Sequence, residues 1–122
     1  MYLYSFEKLD VFQNARNLVN IIYDTTELIP RTELYGISSQ MKRAAISVMA
    51  NVVEGNSRIT NKDRANFMTI SYSSLMELLS LILISLDRKF ISDDRHKTLR
   101  IEIDKLSNQI NALRKYQLNK KV

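Results

Sequence analysis

The longest apolar stretch of this chain runs Leu75-Met76-Glu77-Leu78-Leu79-Ser80-Leu81-Ile82-Leu83-Ile84-Ser85-Leu86. Nine of its twelve residues are apolar, and they point in every direction around a helix. A helix that is apolar all round must be covered on all sides. A membrane-spanning helix needs roughly 20 consecutive apolar residues. The stretch therefore predicts a buried core helix and no membrane partner.

Around this stretch, helical periodicity predicts four helices, over residues 10–29, 39–55, 61–89 and 92–117. The predicted start signals are Asp10 with Gln13, Ser38 or Ser39, Asn61, and Ser92 with Asp93 and Asp94. The predicted stop signals are Pro30 and Gly55. Four amphipathic helices with short connections predict an all-α fold, an antiparallel up-down-up-down four-helix bundle.

The composition agrees with one helical domain spanning residues 1–122. Two glycines and one proline are too few for the many turns of an all-β fold. There is no cysteine, which excludes disulfides and thiolate metal sites. The first residues lack the basic and then apolar pattern of a signal peptide, so a cytoplasmic protein is expected.

The second helix predicts self-association. Its polar residues form one stripe within about 80° of arc, made of Gln40, Arg43, Ser47, Asn51 and Glu54. Apolar residues cover more than half of the helix circumference, whereas a bundle helix in a monomer needs to bury only one face. Together with the apolar third helix, this surplus of apolar surface predicts a homo-oligomer. The alternative is a monomer in which the third helix lies centrally in an imperfect bundle.

The polar stripe has predicted partners on the third helix. In a hairpin that turns near Arg58, Arg43 lies near Ser73 and Glu77. A carboxylate among apolar residues needs a partner, and Arg43 or Gln40 is within reach. By the same register, Asn51 and Glu54 lie beside Lys62 and Arg64. The favoured interpretation is an architectural polar network, and a binding or catalytic role is the alternative. The predicted network comprises Gln40, Arg43, Ser47, Asn51, Glu54, Ser74 and Glu77.

No residue pattern predicts an enzyme, a cofactor or a metal site. The chain has no phosphate-binding glycine loop and no nucleophile elbow. Glu54 and Glu77 lack the Glu-x-x-His partners that a di-iron bundle needs. His96, the single histidine, lies between Arg95 and Lys97 and is expected to be a solvated surface residue.

Three segments carry a resemblance to a known family. They are Leu9-Asp10-Val11-Phe12-Gln13, the run from Gln40 to Gly55, and the run from Phe67 to Leu78. They resemble the four-helix bundle proteins named after intervening sequences in bacterial 23S ribosomal RNA genes. The likeness extends from about Phe6 into the fourth helix, and Phe12 stands where the family frequently has tryptophan.

The resemblance implies a four-helix monomer in a ring-like homopentamer without known catalysis. Similar proteins include the accessory factor of diversity-generating retroelements, a basic pentamer that engages a reverse transcriptase and nucleic acid. In this chain the formal net charge is +5, and basic residues are concentrated in the fourth helix and the C-terminus. The candidates for contact with RNA or DNA are Lys97, Arg100, Arg114, Lys115, Lys120 and Lys121.

Two functions therefore stay open. The first is an oligomer that binds nucleic acid, or a nucleic-acid-processing protein, through this basic surface. The second is a scaffold or adaptor that binds another protein through exposed aromatic residues without touching nucleic acid. The aromatic candidates are Tyr2, Tyr4, Tyr35 and Tyr116.

Overall fold

Four long helices account for most of the chain in a computed structural model that describes residues 1–120. They are α1 (Asp10–Thr26), α2 (Ile37–Ser57), α3 (Asn61–Asp87) and α4 (Asp93–Asn119). Two short 3-10 helices, Ser5–Lys8 and Arg31–Glu33, precede α1 and α2. Residues 1–120 contain no strand, which confirms the predicted all-α, four-helix fold.

The helices surround one apolar core. α3 packs against α2 and α4, and α1 packs against the same two helices. Each buried aliphatic side chain stabilises the fold by about 1.5–3 kcal/mol relative to exposure. The fully buried side chains include Leu18, Ile22, Met41, Val48, Leu75, Leu78, Ile82, Leu99, Ile103, Leu106 and Ile110.

The ends of α1 differ from the prediction. The expected capping box does not form, because the Gln13 side chain donates to the Glu7 carbonyl (2.9 Å) and Leu9 occupies the cap without a side-chain hydrogen bond. The helix ends at Thr26 rather than at residue 29. There the backbone tightens into three-residue turns, in which Leu28 N donates to the Thr25 carbonyl (3.0 Å).

The second helix begins and ends outside its predicted bounds. Gly36 caps it, so Ser38 lies inside the helix, buried, instead of capping it. Gly55 does not stop it, and the helix continues to Ser57. At Gly55 a Cβ atom would lie 2.8 Å from Met68 Cε and 3.0 Å from Phe67 Cβ. Gly55 therefore serves the close approach of α2 to α3.

Replacing Gly55 with alanine should destabilise the protein. In an exposed helix the change would stabilise by roughly 1 kcal/mol, but overpacking a tight contact costs about 1–3 kcal/mol. We expect a lower melting temperature for G55A in thermal unfolding followed by circular dichroism. Ala50→Gly, a change on the exposed side of the same helix, measures the effect of helix propensity on stability without the packing contact. A G55A protein that melts higher than the parent would contradict the close approach.

The third helix is capped by Thr60 rather than by Asn61. The Thr60 hydroxyl accepts a hydrogen bond from Asp63 N at 3.1 Å. The helix ends at Asp87, two residues before the predicted limit, because Lys89 adopts a left-handed φ of 61°. Phe90 N then donates to the Ser85 carbonyl at 2.8 Å, which closes a Schellman motif.

The protein should be more stable with glycine than with lysine at position 89. A non-glycine residue in the left-handed region costs roughly 1–2 kcal/mol, and glycine adopts it without that penalty. We expect Lys89→Gly to raise the melting temperature. Arg88 is right-handed helical in the structure, so Arg88→Gly should lower it. Equal effects of the two changes would contradict the left-handed conformation of Lys89.

The fourth helix begins where predicted and runs further. The Ser92 hydroxyl accepts a hydrogen bond from Arg95 N at 3.1 Å. The buried face continues from Leu99 to Gln117, beyond the half-buried Leu113, and the helix extends to Asn119. Burial of Gln117 gives the last turn a contact with the core that the apolar pattern alone did not indicate.

By length and composition, α3 could cross a membrane. An 18-residue window of this 27-residue helix has a mean hydropathy of 1.7, and 33% of the window is buried inside the bundle. The sequence prediction considered only Leu75 to Leu86 and missed that the helix as a whole is long enough. Core helices of soluble proteins pass the same test.

Candidate functional site

A polar cluster joins α2 to α3. The hydroxyls of Ser47 and Ser74 lie 2.8 Å apart, and the Asn51 amide donates to the Ser47 carbonyl (2.8 Å) and hydroxyl (3.1 Å). One helical turn before Ser74 in α3, the buried Ser71 hydroxyl donates to the Val48 carbonyl at 2.8 Å. Three members of the predicted network thus lie together, and half-buried hydrogen bonds of this kind hold two helices in register.

Three further members of the predicted network lie around a surface recess. Gln40, Arg43, Ser47 and Glu77 line a cavity of about 390 Å³ together with Ala44. The predicted register therefore brings Arg43 close to Glu77. Glu77 is exposed, however, and within residues 1–120 it forms no ion pair with Arg43. The predicted cost of burying this carboxylate does not arise in a single chain.

Glu54 has a different partner from the predicted one. Its carboxylate lies 2.6 Å from Arg58 Nη2, one turn further along the chain. Arg64, predicted to lie beside Glu54, instead donates from Nε to the Arg58 carbonyl at 2.7 Å. The turn between the two helices therefore uses these charges locally, and Glu54 is separate from the Ser47 cluster.

The side of α3 that faces away from the core is only partly covered. We define the outer face of α3 as Ile70, Ser73, Glu77, Ser80 and Ile84, all of which are exposed. The side chains of Ile70 and Ile84 are 44% and 52% exposed, and Leu83 beside them is 39% exposed. Leaving these three aliphatic side chains in contact with water is unfavourable. The apolar surplus predicted from the sequence is visible here as uncovered surface.

The predicted nucleic-acid contacts separate into two groups along α4. Lys97 and Arg100 lie near its start, and Arg114 and Lys115 lie near its end, with about 21 Å between positions 100 and 114 at 1.5 Å per residue. Arg100 Nε also lies 3.6 Å from the Asp104 carboxylate. Lys120 follows the helix and is exposed, whereas Lys121 lies outside the described residues. The five described residues of this set therefore do not form one compact patch.

His96 is less exposed than predicted. It is half-buried, and its Nε2 atom is buried without a hydrogen-bond partner within residues 1–120. In the same range no group of three or more His, Asp or Glu side chains is arranged to hold a metal ion.

The tyrosines proposed from the sequence as protein contacts are exposed but lie in different places. Tyr2 and Tyr4 precede the first 3-10 helix, and Tyr35 lies in the connection between α1 and α2. Tyr116 lies in the last turns of α4. Phe6 and Phe12 continue the run of rings that starts at Tyr2 and Tyr4, and this continuation was not predicted from the sequence. The alternation of aromatic residues from Tyr2 to Phe6 was the available signal.

One family model matches most of this chain. A model of the family described as 23S rRNA-intervening sequence protein matches residues 7–112. A solved structure from Bacteroides thetaiotaomicron VPI-5482 is similar, with a TM-score of 0.78 and 16% sequence identity. The alignment covers 86% of this chain and 98% of that one, which is described as a protein of unknown function from the S23 ribosomal protein family. None of the curated proteins compared with this chain matches it.

Proposed function

This chain belongs to the 23S rRNA-intervening sequence protein family, and from that premise we propose a non-enzymatic, cytoplasmic, self-associating bundle that binds RNA through the basic side of α4. Its helices run in up-down-up-down order, and the subunit number implied by the resemblance is five. The observation that carries the RNA proposal is the basic group at the end of α4, with Lys115 and Lys120 exposed and Arg114 half-buried, on a chain of net charge +5.

Two hydrogen bonds support the antiparallel order. The Asn56 amide, near the end of α2, donates to the Ser5 hydroxyl just before α1 at 2.8 Å. The Asn61 amide, at the start of α3, donates to the Lys120 carbonyl just after α4 at 3.2 Å. Each bond brings opposite ends of two consecutive helices to the same level, as an up-down-up-down bundle requires.

The outer face of α3 supports self-association. It places Ile70 and Ile84 in water on either side of Ser73, Glu77 and Ser80. Small serines let another helix approach closely, and a neighbouring copy would cover the aliphatic side chains. A lipid environment fits this face less well, because Glu77 lies at its centre and a charged carboxylate in hydrocarbon is costly.

Self-association increases the effect of a modest charge. Five copies of a +5 chain present their basic groups at once, and linked weak contacts raise the overall affinity for a polyanion without any new contact. Three members of the predicted basic set, Arg114, Lys115 and Lys120 near the end of α4, have no ion pair within residues 1–120. These side chains are thus available to phosphates.

A mobility-shift titration with a structured RNA hairpin tests the proposal. We expect a shift at about 50 mM salt that weakens strongly at about 200 mM, because binding releases counterions from the phosphates. The mass of the free protein is measured by light scattering in the same buffers. An RNA that does not shift at the lower salt concentration would contradict the proposal.

A protein-binding scaffold is the second candidate, favoured by the exposure of Tyr35 and Tyr116. Such a contact would persist at about 200 mM salt, where phosphate contacts are weakened. It would also tolerate charge reversal in α4. The same titration therefore separates the two functions.

A further inference from the structure

We propose that the end of the bundle formed by the N-terminal segment and the α2–α3 turn binds single-stranded nucleic acid, by stacking unpaired bases on Tyr2 and Tyr4. This inference rests on the proposed RNA binding and states which form of the polymer is recognised and where. It depends on a set of aromatic contacts, their anchoring and the charges around them.

Four aromatic rings form a continuous series, which we call the aromatic ladder: Tyr2, Tyr4, Phe6 and Phe12. The ring centroids of Tyr2 and Tyr4 lie 5.0 Å apart, those of Tyr4 and Phe6 6.5 Å apart, and those of Phe6 and Phe12 4.9 Å apart. Phe12 is buried in the core, whereas Tyr2 and Tyr4 are 76% and 62% exposed. The ladder thus begins inside the bundle and ends in water.

The segment that carries the exposed rings is held in place. Tyr4 N donates to the Glu7 carboxylate at 3.0 Å, and the Gln13 amide donates to the Glu7 carbonyl at 2.9 Å. The Asn56 amide ties Ser5 to the end of α2 at 2.8 Å. Rings that are positioned before binding lose little freedom when a base stacks on them.

The same end of the bundle carries positive charge. Within residues 1–10, 54–64 and 112–120 there are seven lysines and arginines against four aspartates and glutamates. Asn61 holds the end of α4 against this turn through the Lys120 carbonyl. The basic residues are Lys8, Arg58, Lys62, Arg64, Arg114, Lys115 and Lys120.

Exposed rings at the same end of a molecule as a cluster of cations are features that proteins use to bind single-stranded nucleic acids. Every base offers a flat π-face to an aromatic ring, while the cations follow the phosphates, and each stacked base contributes about 1–3 kcal/mol. Bases in a duplex are already stacked on one another and offer no free face. A protein partner explains the rings but not the surrounding positive charge, so a polyanion with free aromatic groups fits the surface better.

The test compares three fluorescein-labelled probes of about 12 nucleotides, a length within the usual site size. They are an oligoadenylate RNA, the same strand annealed to its complement, and an abasic phosphodiester strand of equal length. Dissociation constants are measured by fluorescence anisotropy for the full chain at low salt. We expect the oligoadenylate to bind at least tenfold more tightly than the abasic strand, which has the charge but no bases.

Substitutions in the ladder give the decisive comparison. We expect the double variant Tyr2→Ala, Tyr4→Ala to bind oligoadenylate about tenfold more weakly or worse and to remove the preference over the abasic strand. The variant Tyr2→Phe, Tyr4→Phe keeps both rings and should bind as the parent does. Tyr35→Ala is the matched control, because Tyr35 is 93% exposed in the connection between α1 and α2. Both positions of the double variant are exposed, and unchanged thermal unfolding checks that the fold is intact.

Several outcomes would overturn the inference. If the double alanine variant binds oligoadenylate as tightly as the parent, or if the abasic strand binds equally well, the ladder does not stack bases while RNA binding by α4 stands. If no probe and no structured RNA binds at low salt, RNA binding itself fails and this inference fails with it. If the alanine variant changes the mass of the assembly and leaves RNA affinity unchanged, the ladder contacts another copy of the chain instead.

Discussion

The double variant Ile70→Glu, Ile84→Glu should be a monomer under conditions in which the parent protein is an oligomer. Both side chains lie on the outer face of α3 and are about half exposed in a single chain. Covering the exposed half of each isoleucine contributes roughly half of the 1.5–3 kcal/mol for full burial, and a carboxylate at the same place costs several kcal/mol more unless it is paired. Light scattering coupled to gel filtration, at micromolar protein, measures the mass.

The controls distinguish loss of assembly from loss of folding. Ile101 is 67% exposed on α4, so Ile101→Glu introduces the same change on another helix and should leave the mass unchanged. The milder pair Ile70→Ser, Ile84→Ser should weaken assembly while keeping the helical circular dichroism of the parent. A parent protein that is monomeric at micromolar concentration, or a double glutamate variant with the parent's mass, would contradict self-association through this face.

The second large effect is expected for Arg114→Glu combined with Lys115→Glu. These residues belong to the basic group near the end of α4. Each lost phosphate contact should reduce the slope of log affinity against log salt by about 1, and reversal adds repulsion. We expect at least about a tenfold loss of affinity for a structured RNA at low salt, because two charges are reversed in every copy of the assembly.

The other half of α4 provides the matched control. Lys97→Glu with Arg100→Glu changes the charge by the same amount on the same helix, but Arg100 already lies beside Asp104. Its effect should be clearly smaller. Arg114 is half-buried, so Arg114→Gln with Lys115→Gln is also measured and should give an intermediate loss with unchanged helicity. Equal losses from the two reversed pairs would contradict a local site at the end of α4.

The number of helices and the buried side of α4 could be predicted from the sequence, because apolar periodicity records which side of a helix meets the core. Leu99, Ile103, Leu106 and Ile110 are buried as their spacing predicts. The ends of helices were predicted less well. Gly55 has the sequence signature of a stop signal, but the position of α3 beside it gives the glycine another role, and no local pattern reveals that contact.

The contacts at the candidate sites were also predicted only in part from the sequence. Register arithmetic placed Arg43 near Glu77, because two helices joined by a short turn have few ways to align. The pairing of Glu54 with Arg58 was missed, since neighbours one turn apart on the same helix compete with those on the next helix. The aromatic ladder was missed because it depends on the path of the N-terminal segment across α1 and α2, which has no helical period.

The small residues along the boundary between α2 and α3 affect how the molecule opens. Gly55, the Ser71 hydroxyl on the Val48 carbonyl, and the Ser47–Ser74 pair join these helices at successive levels. Amide hydrogens in this pair should therefore exchange with solvent only on global unfolding. The surface that would join subunits is thus carried by the most persistent part of the chain.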